Sequence, residues 1–466
     1  MIPLPSSLIA RKLIDDPRLE QAKRLVAEAL REHQEHITTI RAPDPLLVQP
    51  YEELLNDFME CRGAKLYFPF IGSGMGNGSL VELFDGSVKY DMISGIGSHF
   101  WGHHHGDILK VNMDAAISDT VMQGHLQQNI DSLELSRLLI KVSGLDHCFL
   151  TSSGVMANEN ALKIAFQHRH PASRILAFEK CFMGRTLTIS QLTDKPAYRD
   201  GLPMNALVDY IPFYEWEDPE GSTRRAIESL KTFLTRYPGQ HAAMCLELVQ
   251  GEGGFYPGTR DFFIPILELL REHQITVIMD EVQTFGRTPS LFAYMHYGLE
   301  EFTDIVTIGK LSQACATLFR KEIKPRPGLL SQTFTSGTAA IRTGRFIIES
   351  LVEGGYYGTS GKITTVHKHF VQNFTEIEQR HPNLIRGPYG IGAMIAFTPL
   401  EGKFKRVVQF IQKLFHAGVI SFIAGDKPSR VRFLVPIGAI TPDDINQVTK
   451  IVESVLVECS QDPETT

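Results

Sequence analysis

The stretch ITVIMDEVQTFGRT, Ile275 to Thr288, starts as a buried strand and stops on two adjacent carboxylates, Asp280 and Glu281. A second apolar run, DIVTIGKL, Asp304 to Leu311, ends on Lys310. Short apolar runs of this length read as strands buried on both faces. A charge placed where such a strand stops is costly unless something answers it.

Working outward, HCFLT, RILAFE, ALVDYIPF and AAMCLELV are further short apolar runs, beginning near residue 145. Amphipathic segments lie between them, as in Phe263, Ile266, Leu267 and Leu270. Strand–helix alternation implies an α/β fold with a mainly parallel central sheet and helices on both faces. In such sheets ligands bind beyond the carboxyl ends of the strands, where Asp280, Glu281 and Lys310 are expected. Upstream, residues 1–60 read as mainly helical, with Leu25, Val26, Ala29 and Leu30 on one face. VELFDGSVKYDM reads as a hairpin around Asp85-Gly86. Beyond about residue 345 come long helices and one strand, VRFLVPI. Thr441 is placed to cap the last helix, with Pro442 at its first position. The expected division is an N-terminal helical segment with part of a small domain (1–95), a large domain (96–345) and a C-terminal small domain (346–466).

Bulk properties exclude several classes. At 466 residues the chain exceeds one compact core, so two or more domains are expected. The net charge of −7, without any basic arm, argues against nucleic acid as a partner. No apolar run is long enough to span a bilayer, and the charged N-terminal stretch does not read as an export signal. Cys61, Cys148, Cys181, Cys245, Cys315 and Cys459 are scattered without a C-x-x-C pair, which fits reduced thiols and a cytoplasmic location.

Three elements point to chemistry. Asp280 reads either as a loop carboxylate or as the partner of a buried cation, such as the protonated ring nitrogen of pyridoxal phosphate. Lys310 reads either as a surface lysine or as an amine that condenses with a cofactor aldehyde. LTSSGVMANENALKIAF, strand then Gly154 then helix, offers backbone N–H groups to a phosphate.

Together with FMGRTLT, LELVQGEGG, MDEVQTFGRT, TIGK, QTFTSG and VRFLVPI, these motifs resemble the class III aminotransferases of the ornithine/4-aminobutyrate type. The resemblance spans roughly residues 65–455 and implies fold type I of the pyridoxal phosphate enzymes. TIGKLSQACA and LTDKPAYR look most like the L-lysine 6-aminotransferase branch. The resemblance implies Lys310 as the cofactor-linked lysine and Asp280 as the ring-nitrogen partner. It implies Gln283 at the ring hydroxyl, Phe182 on the ring face, and Gly154 and Val155 at the phosphate. Thr333 would reach the phosphate of a neighbouring subunit, so a homodimer with active sites at the interface is implied. Arg432 and Arg185 would grip the carboxylates of 2-oxoglutarate, with Glu252 neutralising Arg432 when an amine-ended substrate enters. The implied reaction moves an amino group, from the terminal amine of lysine or a similar ω-amine, to 2-oxoglutarate, giving glutamate. Ornithine, N-acetylornithine and 4-aminobutyrate are alternative donors. Met156, Met183, the adjacent Thr284-Phe285 and Thr335 to Gly337 depart from the family pattern, all around the substrate pocket or the cross-subunit contact.

Other readings of the same fold are a racemase, a decarboxylase, an aminomutase or a non-catalytic regulatory protein. No metal is expected. In SHFWGHHHGD the histidines are adjacent, whereas ligand spacing separates them. IGSGMGNGS lacks the dinucleotide-binding spacing. Glu281, Arg287 and Thr288 are assigned loop-shaping roles, and Asn158 and Glu159 read as first-turn helix residues.

Overall fold

The computed structural model describes residues 4–118, 124 and 126–461. Within these the chain forms two compact units, one of residues 115–364 with 390–392, the other of the remaining N-terminal, 365–389 and C-terminal residues.

The first unit is built on a seven-stranded sheet. Its strands are β1 (His147–Thr151), β2 (Arg174–Phe178), β3 (Leu207–Ile211), β4 (His241–Leu246), β5 (Thr276–Asp280), β6 (Ile305–Ile308) and β7 (Cys315–Phe319). The spatial order is β1-β7-β6-β5-β4-β2-β3. β2 to β6 pair in parallel, and β7 runs antiparallel to both β6 and β1. β4 and β5 are buried along their whole length, as continuous apolar runs demand when both sheet faces are covered. β7 was not among the sequence expectations. CATLF follows Lys310 so closely that its apolar residues merge with the preceding loop in a linear reading.

Local chemistry explains the covering helices. Gly154–His168 is capped by Ser153, whose hydroxyl accepts the Met156 N–H at 3.3 Å. Asp218 caps Pro219–Arg236, with proline at the first helical position. Arg260–Glu272 buries Phe262, Phe263, Ile266, Leu267 and Leu270, the face its helical spacing selects.

The second unit contains the N-terminal helices Pro17–Gln34 and Val48–Arg62. The expected hairpin is present: Leu80–Leu83 pairs antiparallel with Val88–Asp91, and Gly86 takes φ +77° at the turn. The glycine-rich segment before it forms a further strand, Gly72–Asn77, against Leu80–Leu83. Strand content after residue 345 exceeds the single expected run. Met394–Pro399 and Phe422–Ala424 flank Arg430–Leu434 in antiparallel register. These segments are short and lack clean alternation, so tertiary pairing rather than local pattern makes them strands. Thr441 caps Pro442–Gln461, its hydroxyl accepting the Asp444 N–H at 3.1 Å.

Five phenylalanines, Phe370, Phe374, Phe397, Phe410 and Phe433, form the aromatic core of this unit and are all fully buried. Phe374→Ala removes a ring that contacts three of the others. It is expected to cost about 3–5 kcal/mol, read as a lowered midpoint in denaturant unfolding of the whole chain.

Candidate active site

β5 and β6 are adjacent and parallel, with Asp280 in register with Thr307. Their carboxyl ends therefore deliver Asp280 and Lys310 to the same edge of the sheet. Asp280 is buried. Its Oδ1 accepts the Val282 N–H at 2.9 Å and its Oδ2 accepts from Asn158 Nδ2 at 2.8 Å. Burial pushes its pKa up, and the two donors and the Lys310 charge pull it back. Lys310 follows Gly309 directly and sits at φ +53°. A non-glycine residue in the left-handed region costs about 1–3 kcal/mol and persists where the surroundings over-determine it, often at functional sites.

Asn158 was read as a first-turn helix residue, but it organises this edge. Its amide nitrogen also donates to the Met183 carbonyl at 2.8 Å, and its oxygen accepts from Thr307 Oγ1 at 2.7 Å. One side chain thus ties the helix Gly154–His168 to both β5 and β6. The available signal was spacing: Asn158 stands four residues after Gly154, on the same helix face.

Glu247 is a second residue the sequence analysis passed over. It lies inside the AAMCLELV run, directly after β4 ends at Leu246, with Leu248 and Val249 beyond it. Its carboxyl accepts the Phe182 N–H at 2.9 Å and the Gly251 N–H at 3.0 Å. Burial and the nearby Asp280 push its pKa to about 8. It holds Phe182 and the GEGG turn to the same edge. Gln283 lies against Gly251, where any side chain would collide with the amide. The Gln283 side-chain oxygen is buried without a hydrogen-bond partner among the described residues. Gly154 sits against Val282, and a Cβ there would meet Val282 Cγ1 at 2.5 Å. Val155 in turn leaves no room for a side chain at Gly184.

The remaining predicted residues have the following surroundings. Arg185 is exposed and stacks its guanidinium on Tyr198, 3.7 Å from the ring centroid. Tyr198 meets Phe182 edge-on at 6.3 Å. Glu252 lies 4.0 Å from Lys195. Thr333 is exposed in an irregular segment and makes no side-chain hydrogen bond among the described residues. Arg432 belongs to the second unit, fully buried in Arg430–Leu434, with its guanidinium 5.4 Å from the Phe422 ring centroid.

The neighbouring loop residues are structural. Glu281 accepts the Ala293 and Tyr294 N–H groups at 2.8 and 2.9 Å. Buried Arg287 donates to the Gln283 carbonyl at 3.0 Å. Among the described residues no group of three His, Cys, Asp or Glu side chains is placed to hold a metal.

Two outcomes follow from the buried acids. Asn158→Ala strips one donor from Asp280, and the lost hydrogen bonds are expected to lower stability by about 1–3 kcal/mol, measured by thermal unfolding. Glu247 contributes stability that is complete below its unfolded pKa near 4.5 and is lost as pH rises toward its folded value of about 8. Glu247→Gln escapes that loss. In cofactor-free protein its thermal midpoint should therefore gain several degrees on the parent between about pH 5 and about pH 8.5.

Comparison with known proteins agrees with this architecture. The family model for aminotransferase class-III matches residues 68–456. The acetylornithine aminotransferase of Methanocaldococcus jannaschii is 28% identical over 400 residues, covering 82% of this chain and 92% of its own. That of Archaeoglobus fulgidus is 27% identical over 384 residues, covering 81% and 93%. In fold the chain is similar to the lysine aminotransferase from M. tuberculosis, with TM-score 0.78 and 22% identity over 87% of this chain and 99% of the other. It is also similar to the ornithine aminotransferase from Toxoplasma gondii ME49, with TM-score 0.76 and 20% identity over 89% and 99%. With most of its length matched by the family model, the chain belongs to the class III aminotransferases, pyridoxal phosphate-dependent transaminases of fold type I.

Proposed function

We propose that this transaminase takes the terminal amine of a basic amino acid or a derivative of one, lysine, ornithine or N-acetylornithine, and passes it to 2-oxoglutarate. The observation that carries the reading is the convergence of buried Asp280 and Lys310 on the ends of two neighbouring parallel strands. The acetylornithine aminotransferases among its relatives support a donor of this class.

The residues suit the cofactor. Asp280 supplies a buried carboxylate, held by two donors, for a protonated ring nitrogen. Gln283 presents a buried amide oxygen that lacks a hydrogen-bond partner among the described residues. The glycine at the start of the Gly154–His168 helix leaves backbone N–H groups uncovered for a phosphate. When bound, pyridoxal phosphate supplies an electron sink for the carbon that carries the amine.

The chain's own side chains do the rest. Asp280 keeps a proton on the ring nitrogen. Lys310 Nζ takes the proton from the amine-bearing carbon and returns it on the other side of the transfer. Phe182, fixed through its backbone by Glu247, covers one ring face. Arg185 and Arg432 grip carboxylates as planar forks. Glu252 neutralises a fork when the substrate brings an amine in place of a second carboxylate. In this reading Thr333 serves the neighbouring subunit of a homodimer. Six cysteines outside any disulfide among the described residues fit a reducing, cytoplasmic setting.

Purified protein, 2-oxoglutarate and a panel of α- and ω-amines test the reading, with glutamate as product. Basic ω-amine donors should give ping-pong kinetics. Lys310→Ala should lower turnover by at least about a thousandfold while still binding the cofactor. A panel in which only α-amines react sinks the donor assignment, and no glutamate from any amine sinks the acceptor.

A further inference from the structure

Resting on the reading of Arg185 as a carboxylate fork, we propose that Tyr198 is its positioning residue. The Tyr198 ring holds the guanidinium by one face and leaves the in-plane N–H groups for the substrate carboxylate. A guanidinium carries all its donors in its own plane, so contact through the flat face uses none of them. Arg185 lies over the ring, 3.7 Å from its centroid. It makes no hydrogen bond and no ion pair among the described residues. Its side chain is exposed, and donors within reach of solvent are within reach of a substrate. Two cations share this ring. Lys195 Nζ is 5.3 Å from the same centroid and has Glu252 4.0 Å away. Of the two, Arg185 is the one with no carboxylate beside it among the described residues.

Both ends of the stack are anchored. Tyr198 closes the short turn Pro196–Tyr198, its N–H donating to the Lys195 carbonyl at 2.9 Å. The next residue buttresses the turn: Arg199 Nη1 donates to the Gln191 and Thr193 carbonyls at 3.3 and 3.1 Å and to the Tyr210 hydroxyl at 3.1 Å. Thr193 stitches this segment to the loop that carries Arg185. Its hydroxyl accepts the Met183 N–H at 3.0 Å and donates to the Gly184 carbonyl at 2.8 Å. Gly184 itself, at φ +127°, packs so tightly on Val155 that a Cβ would meet Val155 Cγ2 at 2.3 Å. The backbone of the fork is therefore rooted against the start of the Gly154–His168 helix.

The ordinary reading is a surface arginine resting on a surface tyrosine, a common contact. That accounts for the stack but not for its company. The same ring meets Phe182 edge-on at 6.3 Å and, through Lys195, neighbours Glu252. Three residues assigned to the cofactor face, the fork and its neutralising carboxylate thus border one aromatic side chain. The physical consequence is preorganisation. An unstacked arginine samples many rotamers and loses them when a carboxylate binds, whereas a stacked one is ordered beforehand.

The test is the KM for 2-oxoglutarate of the holoenzyme at saturating amine donor. Tyr198→Leu should raise it about fivefold while kcat stays within about twofold. Tyr198→Phe keeps the ring face and should match the parent. Arg185→Gln should raise KM about tenfold or more, and adding Tyr198→Leu to it should raise KM no further, because the ring then has no fork to hold. A merely structural role for Tyr198 would instead give additive effects. Additive effects, a Tyr198→Leu variant with the parent's KM, or a Tyr198→Phe variant as impaired as Tyr198→Leu overturns the proposal and leaves the role of Arg185 standing. Arg185→Gln with the parent's KM overturns both. Should the leucine variant not fold, Tyr198→Met takes its place in the same cycle.

Discussion

A carboxylate carried into the interior on the end of a strand has to be stabilised there, and that constraint at Asp280 organises the large unit. Two hydrogen-bond donors and the Lys310 charge hold the group against the cost of burial. Asn158 makes the arrangement rigid, because the amide that serves Asp280 also binds the Met183 carbonyl and the Thr307 hydroxyl. The segments holding Val282, Met183 and Thr307 are thereby anchored to the acid or to its donor.

The same constraint recurs one strand away. Glu247 is buried close enough to Asp280 that each charge disfavours the other. Two backbone N–H groups offset that repulsion, and through them the acid sets the course of the segments holding Phe182 and Glu252. Burial and the nearby Asp280 favour the neutral form of Glu247 near pH 7. Acidic groups that look like a liability in the core thus become the means by which loops from separate strands are brought to one edge.

Glycine completes the edge by absence. Gly154 and Gly309 lie so near each other and Val282 that side chains would fill the space at the helix start. Departures from the family pattern at Met156 and Met183 leave this frame intact. Met183 contributes its backbone carbonyl to Asn158, a role any residue fills. The Thr284-Phe285 junction is accommodated because Thr284 donates to Glu281 and Phe285 is wholly buried.

Much of this was legible in the linear chain. The apolar runs marked β1 to β6, and charges stranded at their ends marked Asp280 and Lys310, because period and burial cost are local properties of sequence. The helix start at Thr441 was written in capping chemistry that acts over three residues. What the chain order concealed was who meets whom. The antiparallel β7, the strands after residue 345, the service of Asn158 to Asp280 and the coupling of Glu247 to Asp280 all join residues far apart in sequence. Sequence by itself determined which residues need partners. Only the tertiary structure decided which partners they have, because hydrogen bonds and Coulomb forces act through a few ångströms of space and take no account of position along the chain.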